Sequence, residues 1–365
     1  MSGAAPDAGP SIELADVEAA AARLAGRVLR TPLVRLGAVG GDGDALGERG
    51  GVGPGAASTV SSAPPSSAPP SSGAGGLWLK AESLQEVGSF KARGALNCLL
   101  TLIDERRGAT PPGVVAHSSG NHAQAVAWAA ARLGLAATVV MPDDAPPRKR
   151  AATEAWGAEV IVVGPDSAER AERCDLVAAE RGWPVVAPYD DPTVMAGAGT
   201  VGLEVLDDLP RVAAVLVPVS GGGLISGIAG AVNGRRPDVA VIGVEPEVAD
   251  DARRSLAVGE RIAIPAEQAS STIADGLRVR QVGAHPWTVI RRSVDRIVTV
   301  TEDEIVAAMG VIAGGARLVA EPSGAVATAA WCFHRSELGL PDDALVVAVL
   351  SGGNVEPDLL ARSLA

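Results

Sequence analysis

Four short stretches of this chain carry residues whose types and spacing can do chemistry. "GSFKARGA", residues 88–95, sets Lys91 beside Phe90, one of two phenylalanines in the sequence, and follows it with small residues. For any single lysine a solvated surface position is the ordinary one. A sheltered lysine instead loses its proton more easily and becomes a nucleophile toward carbonyl carbon. "SSGNHAQA", residues 118–125, reads as a turn opening a helix. Ser118 or Ser119 can cap that helix, leaving backbone N–H groups to face an anion, and plain capping satisfies the same residues. In "SGGGLISG", residues 220–227, Ser220, Gly221, Gly222 and Gly223 let successive amides converge on a phosphate with no side chain in the way. "LSGGN", residues 350–354, offers the Ser351 hydroxyl to a bound heterocycle, or simply to its own turn.

Two ligands compete for these stretches. The strand, glycine turn, helix and strand around residues 214–245, with Glu245 at the end, approach a dinucleotide fingerprint, but Ser226 stands where its third glycine belongs. That reading uses one stretch of the four. A lysine, an amide (Asn121), a neutral hydroxyl (Ser351) and a phosphate cradle together suit pyridoxal 5′-phosphate, which uses all four.

The elements that must position these residues follow from the hydropathy pattern. Residues 11–26 read as an amphipathic helix, followed by the extended "RTPLVRL". Between about 40 and 76 the chain is Gly, Ser, Ala and Pro, including "SSAPPSSAPPSS", a composition expected to be a disordered insertion. Beyond it short apolar runs ("LWLKAE", "GVVAHSS", "AATVVMP", "AEVIVVG", "PVVAPY", "AAVLVPVS", "VAVIGVEP", "ALVVAVLSGGN") read as strands. Helices are expected at 89–105, 121–133, 146–156, 166–181, near 198–208 and 223–232, and at 302–315 and 323–338. Runs apolar on both faces are expected of parallel strands covered by helices, so the class is α/β and doubly wound. Ligands in such sheets sit at the carboxyl ends of strands, where the four stretches fall.

Composition narrows the function. A net charge of −12 and a pI near 4.9 supply no basic footprint for nucleic acid and no polybasic membrane anchor. Residues 213–232 are long and uncharged, but Pro218 and the glycine triplet read as strand, turn and helix rather than a membrane span. Cys98, Cys174 and Cys332 fit neither a disulfide framework nor a metal pattern. The acidic N-terminus lacks the apolar core of a signal peptide, so a cytoplasmic location is expected. Aromatics are only 2% of residues, so packing must rely on small aliphatics in close layers.

In combination "GSFKARGALN", "SSGNHAQA", "SGGG", "EPEVADD", "IADGL", "EPSGAV" and "LSGGN" resemble the fold-type II pyridoxal-phosphate enzymes. The resemblance is to serine/threonine dehydratases and the similar serine racemases, from about residue 11 to the C-terminus. It implies two doubly wound domains: a large one from 1–112 and 191–365, and a small one from 113–190. It implies that Lys91 is the Schiff-base lysine with Phe90 beside the ring. Asn121 would bond the ring's 3′-oxygen, residues 220–223 would hold the phosphate, and Ser351 would meet the pyridine nitrogen. Ser118, Asn121 and His122 would grip a substrate carboxylate, and Ser119 falls where racemases keep a second acid/base. Glu245, the Ala249 carbonyl and Asp251 match the family's divalent-cation site, suited to Mg2+ or Ca2+; the same residues also read as a solvated acidic loop. The chain departs from the family at Val87, usually Thr, and at Ser220, usually Gly. The implied activity is removal of water and ammonia from a β-hydroxy amino acid, L-threonine or L-serine, by a homodimer. A racemase acting on serine or hydroxyaspartate is the alternative, and a dinucleotide-dependent oxidoreductase a more distant one.

Overall fold

The computed structural model describes residues 12–37, 76–106, 110–164 and 167–365. The Gly/Ser/Ala/Pro insertion therefore lies outside the described residues except at Gly76, which opens a strand. In chain order the elements are α1 (Leu14–Leu24), β1 (Leu33–Arg35), β2 (Gly76–Ala81), α2 (Lys91–Glu105), β3 (Gly113–His117), α3 (Asn121–Leu133), β4 (Ala136–Pro142), α4 (Pro147–Ala155), β5 (Glu159–Val163) and α5 (Ser167–Arg181). They continue with α6 (Pro192–Asp208), β6 (Ala214–Pro218), α7 (Gly223–Arg235), β7 (Ala240–Pro246), α8 (Asp251–Val258), α9 (Ala266–Ser270), α10 (Ala284–Ser293), β8 (Arg296–Val300), α11 (Glu302–Ala316), α12 (Pro322–Phe333), β9 (Leu345–Leu350) and α13 (Pro357–Ser363).

Two sheets result. The six-stranded sheet runs β1-β2-β9-β6-β7-β8, parallel except for β1, and the three-stranded sheet runs β3-β4-β5, all parallel. Alternate residues of each strand feed opposite faces. Val215 and Val217 of β6 pack with Ile225 and Ile228 of α7, while Ala214 and Leu216 pack with Ile305 and Met309 of α11 and Ala325 of α12. In the smaller sheet Val114 and Ala116 face α2 and α3, and Val115 faces Cys174 and Val177 of α5. Small residues do allow close layers: a Cβ on Gly199 of α6 would lie 2.6 Å from the Gly227 carbonyl oxygen of α7, so both backbones approach directly. Among the described residues no helix is long and apolar enough to cross a membrane. Residues 213–232 form β6, the glycine turn and α7, as their breaks implied.

Three expectations need correction. "PVVAPY" forms a single bridge, Val185 to Val115, because Pro184 and Pro188 have no N–H to extend a ladder. The helix expected near 198 begins at Pro192, where Asp191 caps the Thr193 and Val194 amides at 2.7 and 3.0 Å. The helix expected to reach 338 stops at Phe333, and His334 takes non-helical backbone angles.

Candidate active site

The sequence holds three lysines, and the fold treats them differently. Lys80 is fully buried against Glu204 at 2.6 Å. Lys149 is buried in contact with Asp275, with Glu321 at 3.7 Å. Lys91 has no acidic partner among its hydrogen bonds; its Nζ donates to the Pro188 carbonyl at 2.6 Å. Burial lowers its pKa to about 8, so a tenth or so of the amine is neutral near pH 7. The Phe90 ring centroid lies 5.1 Å from Nζ.

Lys91 is the first residue of α2, and its approach is fixed by the turn after β9. Phe90 N–H donates to the Ser351 carbonyl at 3.1 Å, Gly353 N–H to the Gly88 carbonyl at 2.9 Å, and Ser89 bridges Gly352. Val87, the departure from the family's Thr, sits at φ 56°, a left-handed conformation that a β-branched residue rarely adopts. The neighbouring order β2-β9-β6 brings three carboxyl ends side by side, which places the lysine turn, the Ser351 turn and the glycine loop together.

In that loop Gly222 takes φ 90° as the residue before α7, and a Cβ there would lie 2.7 Å from Pro286 Cβ. Gly221 abuts the ring of Tyr189, the only tyrosine in the chain. The buried Ser220 Oγ has no hydrogen-bond partner. An unpartnered buried hydroxyl at the mouth of a glycine turn fits a phosphate that would accept from it. Tyr189 and Pro188 escaped the sequence reading, which took their segment as a strand.

At the start of α3 Gly120, not Ser118 or Ser119, precedes the helix, and no side chain caps it; Ser118 Oγ instead accepts from Gly120 N–H at 3.1 Å. Ser119 is half-buried. His122 is buried with Nε2 2.9 Å from the Val186 carbonyl. Burial, aided by nearby Lys91, lowers its pKa to about 3, so the ring is neutral and Nε2 carries the proton. Its hydrogen bond therefore anchors the 186–189 segment that receives Lys91. Asn121 Nδ2 donates to Glu321 at 2.5 Å, and Asn121 Oδ1 accepts from Asn354 at 2.9 Å. Ser351 Oγ makes only a long contact, 3.4 Å to the Ser323 carbonyl, which leaves the hydroxyl available to another acceptor. Glu321, Asp275 and Asn354 were also missed individually, although each lies in a stretch the sequence singled out.

The acidic residues lie one strand away, Glu245 near the end of β7 and Asp251 at the start of α8. The Glu245 carboxylate accepts from Ala252 N–H at 3.1 Å and Arg253 N–H at 2.8 Å, serving the start of α8. Burial, with Asp251 adding to it, raises the Glu245 pKa well above its ordinary value, and burial raises Asp251 to about 7. Asp251 Oδ2 has no hydrogen-bond partner, and Ala249 is buried. Among the described residues no group of three or more His, Cys, Asp or Glu side chains is placed to hold a metal. Two buried carboxylates, one with an orphan oxygen, nevertheless fit a cation completed by backbone carbonyls.

A family model described as pyridoxal-phosphate dependent enzyme matches residues 63–352, and the chain belongs to that family. It is 43% identical over 281 residues to the L-threonine ammonia-lyase of Geobacter sulfurreducens, covering 77% of this chain and 67% of that one. The T.th. threonine deaminase structure superposes with a TM-score of 0.78 at 38% identity, covering 94% of this chain and 99% of that one. The maize serine racemase structure gives 0.81 at 32% identity, covering 97% of each.

Proposed function

We propose that this chain is a threonine/serine ammonia-lyase, converting L-threonine or L-serine to a 2-oxo acid and ammonia. The observation that carries the reading is Lys91: of three lysines it alone lacks a carboxylate partner, and it lies at the strand ends beside the glycine loop. The named relatives support the choice of substrate. Pyridoxal phosphate, when bound, withdraws electrons from the substrate's α-carbon.

The chain's residues do the rest. Residues 220–223 would hold the phosphate, with the Ser220 hydroxyl, buried and unpartnered, as a donor to it. Phe90 walls one side of the lysine. The uncapped start of α3, with Ser118, Asn121 and the neutral His122 near it, receives the substrate carboxylate. The Lys91 amine takes the α-proton, for which a pKa of about 8 keeps it within reach of neutrality. Ser351 would offer its neutral hydroxyl to the ring nitrogen, a partner that carries no full negative charge. Water leaves in the elimination and is taken up again as the imine product hydrolyses, releasing ammonia. Ser119 would return a proton from the other side, making a D-enantiomer. Glu245, the Ala249 carbonyl and Asp251 hold Mg2+ or Ca2+ as a structural cation. The enzyme works as a cytoplasmic homodimer, with 113–190 as the small domain beside the large domain of 1–112 and 191–365.

A panel of β-hydroxy amino acids, assayed for 2-oxo acid and by chiral chromatography, tests the reading. Release of 2-oxo acid should exceed any D-product, and Ser119→Ala should reduce the D-product more than the 2-oxo acid. D-amino acid accumulating faster than 2-oxo acid would make the enzyme a racemase.

A further inference from the structure

Two stretches that the sequence singled out, "IADGL" and "EPSGAV", have no part in the chemistry of Lys91, yet both end at Asn121. Glu321 is the residue before α12, buried, with its N–H donating to the Gly352 carbonyl at 3.1 Å. Its Oε1 accepts from Asn121 Nδ2 at 2.5 Å, and its Oε2 has no hydrogen-bond partner and lies 3.7 Å from Lys149 Nζ. Lys149, on α4, contacts Asp275 of "IADGL", and its stem passes 3.1 Å from where a Cβ on Gly120 would stand. Burial opposes the lysine's charge, but Glu321 and Asp275 outweigh it and raise its pKa. The cation and its two acidic neighbours thus join the helix after β4 to the large sheet's turns.

On the other side of Asn121 the hydrogen bonds have a fixed direction. Asn354 Nδ2 donates to the Val87 carbonyl at 2.8 Å, which can only accept, so the flip of Asn354 is determined. The same Nδ2 donates to Asn121 Oδ1 at 2.9 Å. Asn121 must therefore present its Nδ2 to Glu321, and the opposite flip would set oxygen against carboxylate and NH2 against NH2. One Nδ2 hydrogen remains unused.

We propose that Glu321 is a positioning residue for Asn121: it fixes the carboxamide so that the spare Nδ2 hydrogen is offered to the cofactor's 3′-oxygen. Burial raises the Glu321 pKa to about 7, and Lys149, 3.7 Å from Oε2, acts against that rise. The inference rests on the reading of Asn121 as a cofactor contact. The relay runs Val87, Asn354, Asn121, Glu321, Lys149, and each member sets the donor or acceptor role of the next. Gly352 is required beside it, because a Cβ there would collide with Glu321 Oε1.

The test is a double-mutant cycle on the full-length protein, read as the dissociation constant for pyridoxal 5′-phosphate and as the bound cofactor's absorption spectrum, with urea unfolding of each variant as a control. Glu321→Ala should weaken binding by about tenfold and shift the spectrum, the effect of a lost charge-assisted hydrogen bond. Glu321→Gln restores an acceptor and should bring binding back to within about threefold of wild type. In an Asn121→Ala background Glu321→Ala should add less than about twofold. A full tenfold loss from Glu321→Ala in that background, no loss in the wild-type background, or failure of Gln to rescue would overturn the proposal. A wild-type chain that does not bind the cofactor would overturn the cofactor reading and this proposal with it, whereas normal wild-type binding without coupling overturns this proposal alone.

Discussion

β6 and β7 are adjacent parallel strands, and their carboxyl ends make opposite demands. After β6 come Ser220 and three glycines, with a buried hydroxyl that has a proton to give and no acceptor. At the end of β7 and the start of α8 stand buried carboxylates, Glu245 and Asp251, and Asp251 has an oxygen with no donor. Topology delivers both turns to the same edge of the sheet. The residues near each strand end then set the ligand charge that fits: bare amides and an unpartnered hydroxyl suit an anion, and two buried carboxylates with one unpartnered oxygen suit a cation or protons. A parallel sheet thus supplies position, while the charge of a few turn residues supplies selectivity.

The contrast breaks most sharply at Gly222. Gly222→Ala forces a side chain into a left-handed backbone and against Pro286, Ile290 and Val282. Strain and overpacking of a few kcal/mol should reduce cofactor affinity about a hundredfold or more, measured by titration with pyridoxal 5′-phosphate. Wild-type affinity in that variant would show that the loop does not form the cradle.

At the second turn the effect is on stability. With divalent cations chelated, Glu245 and Asp251 have folded pKa values above their unfolded ones, so the folded state binds more protons. Stability of the chelated protein should therefore fall as pH rises from about 4 to 7, by up to about 1.4 kcal/mol per pH unit for each group. Mg2+ or Ca2+ should restore it at pH 7, and Asp251→Asn should flatten the slope and abolish the cation response. Urea unfolding across pH with and without cation checks this; an unchanged profile would leave the carboxylates as caps for α8.

Ser220→Ala should have the smallest effect, and opposite signs in two states. Removing an orphan buried hydroxyl should leave the cofactor-free protein as stable or up to about 1 kcal/mol more stable, while cofactor binding weakens by about three- to tenfold. Loss of stability without loss of affinity would place the Ser220 hydroxyl in the fold rather than in the cradle.

Much of this was legible in the sequence because it is local. The helix over residues 121–133 has an interrupted apolar face and closes on Gly134, and it forms with those bounds. The glycine loop announces itself because few other residues tolerate its backbone. Tertiary partners left no such trace. The stretch "GSFKARGA" marks Lys91 locally, but nothing local shows that Lys80 and Lys149 each meet an acid from a distant element, Glu204 and Asp275, while Lys91 does not. Glu321 likewise reads as an ordinary residue before a proline until the fold sets it beside Asn121, 200 positions away in sequence. The Pro188 and Tyr189 segment was misread because apolar residues between prolines imitate a strand.

The role of Lys91 is the central claim, and the chain's small lysine count makes it unusually direct to test. The protein loaded with pyridoxal 5′-phosphate would be reduced with borohydride, digested and mapped by mass. The cofactor should be found on the peptide carrying Lys91 alone, and Lys91→Ala should lose both the label and the visible band, with 2-oxo acid release reduced by about a thousandfold or more. Label on Lys80 or Lys149 in the wild-type protein would contradict the assignment.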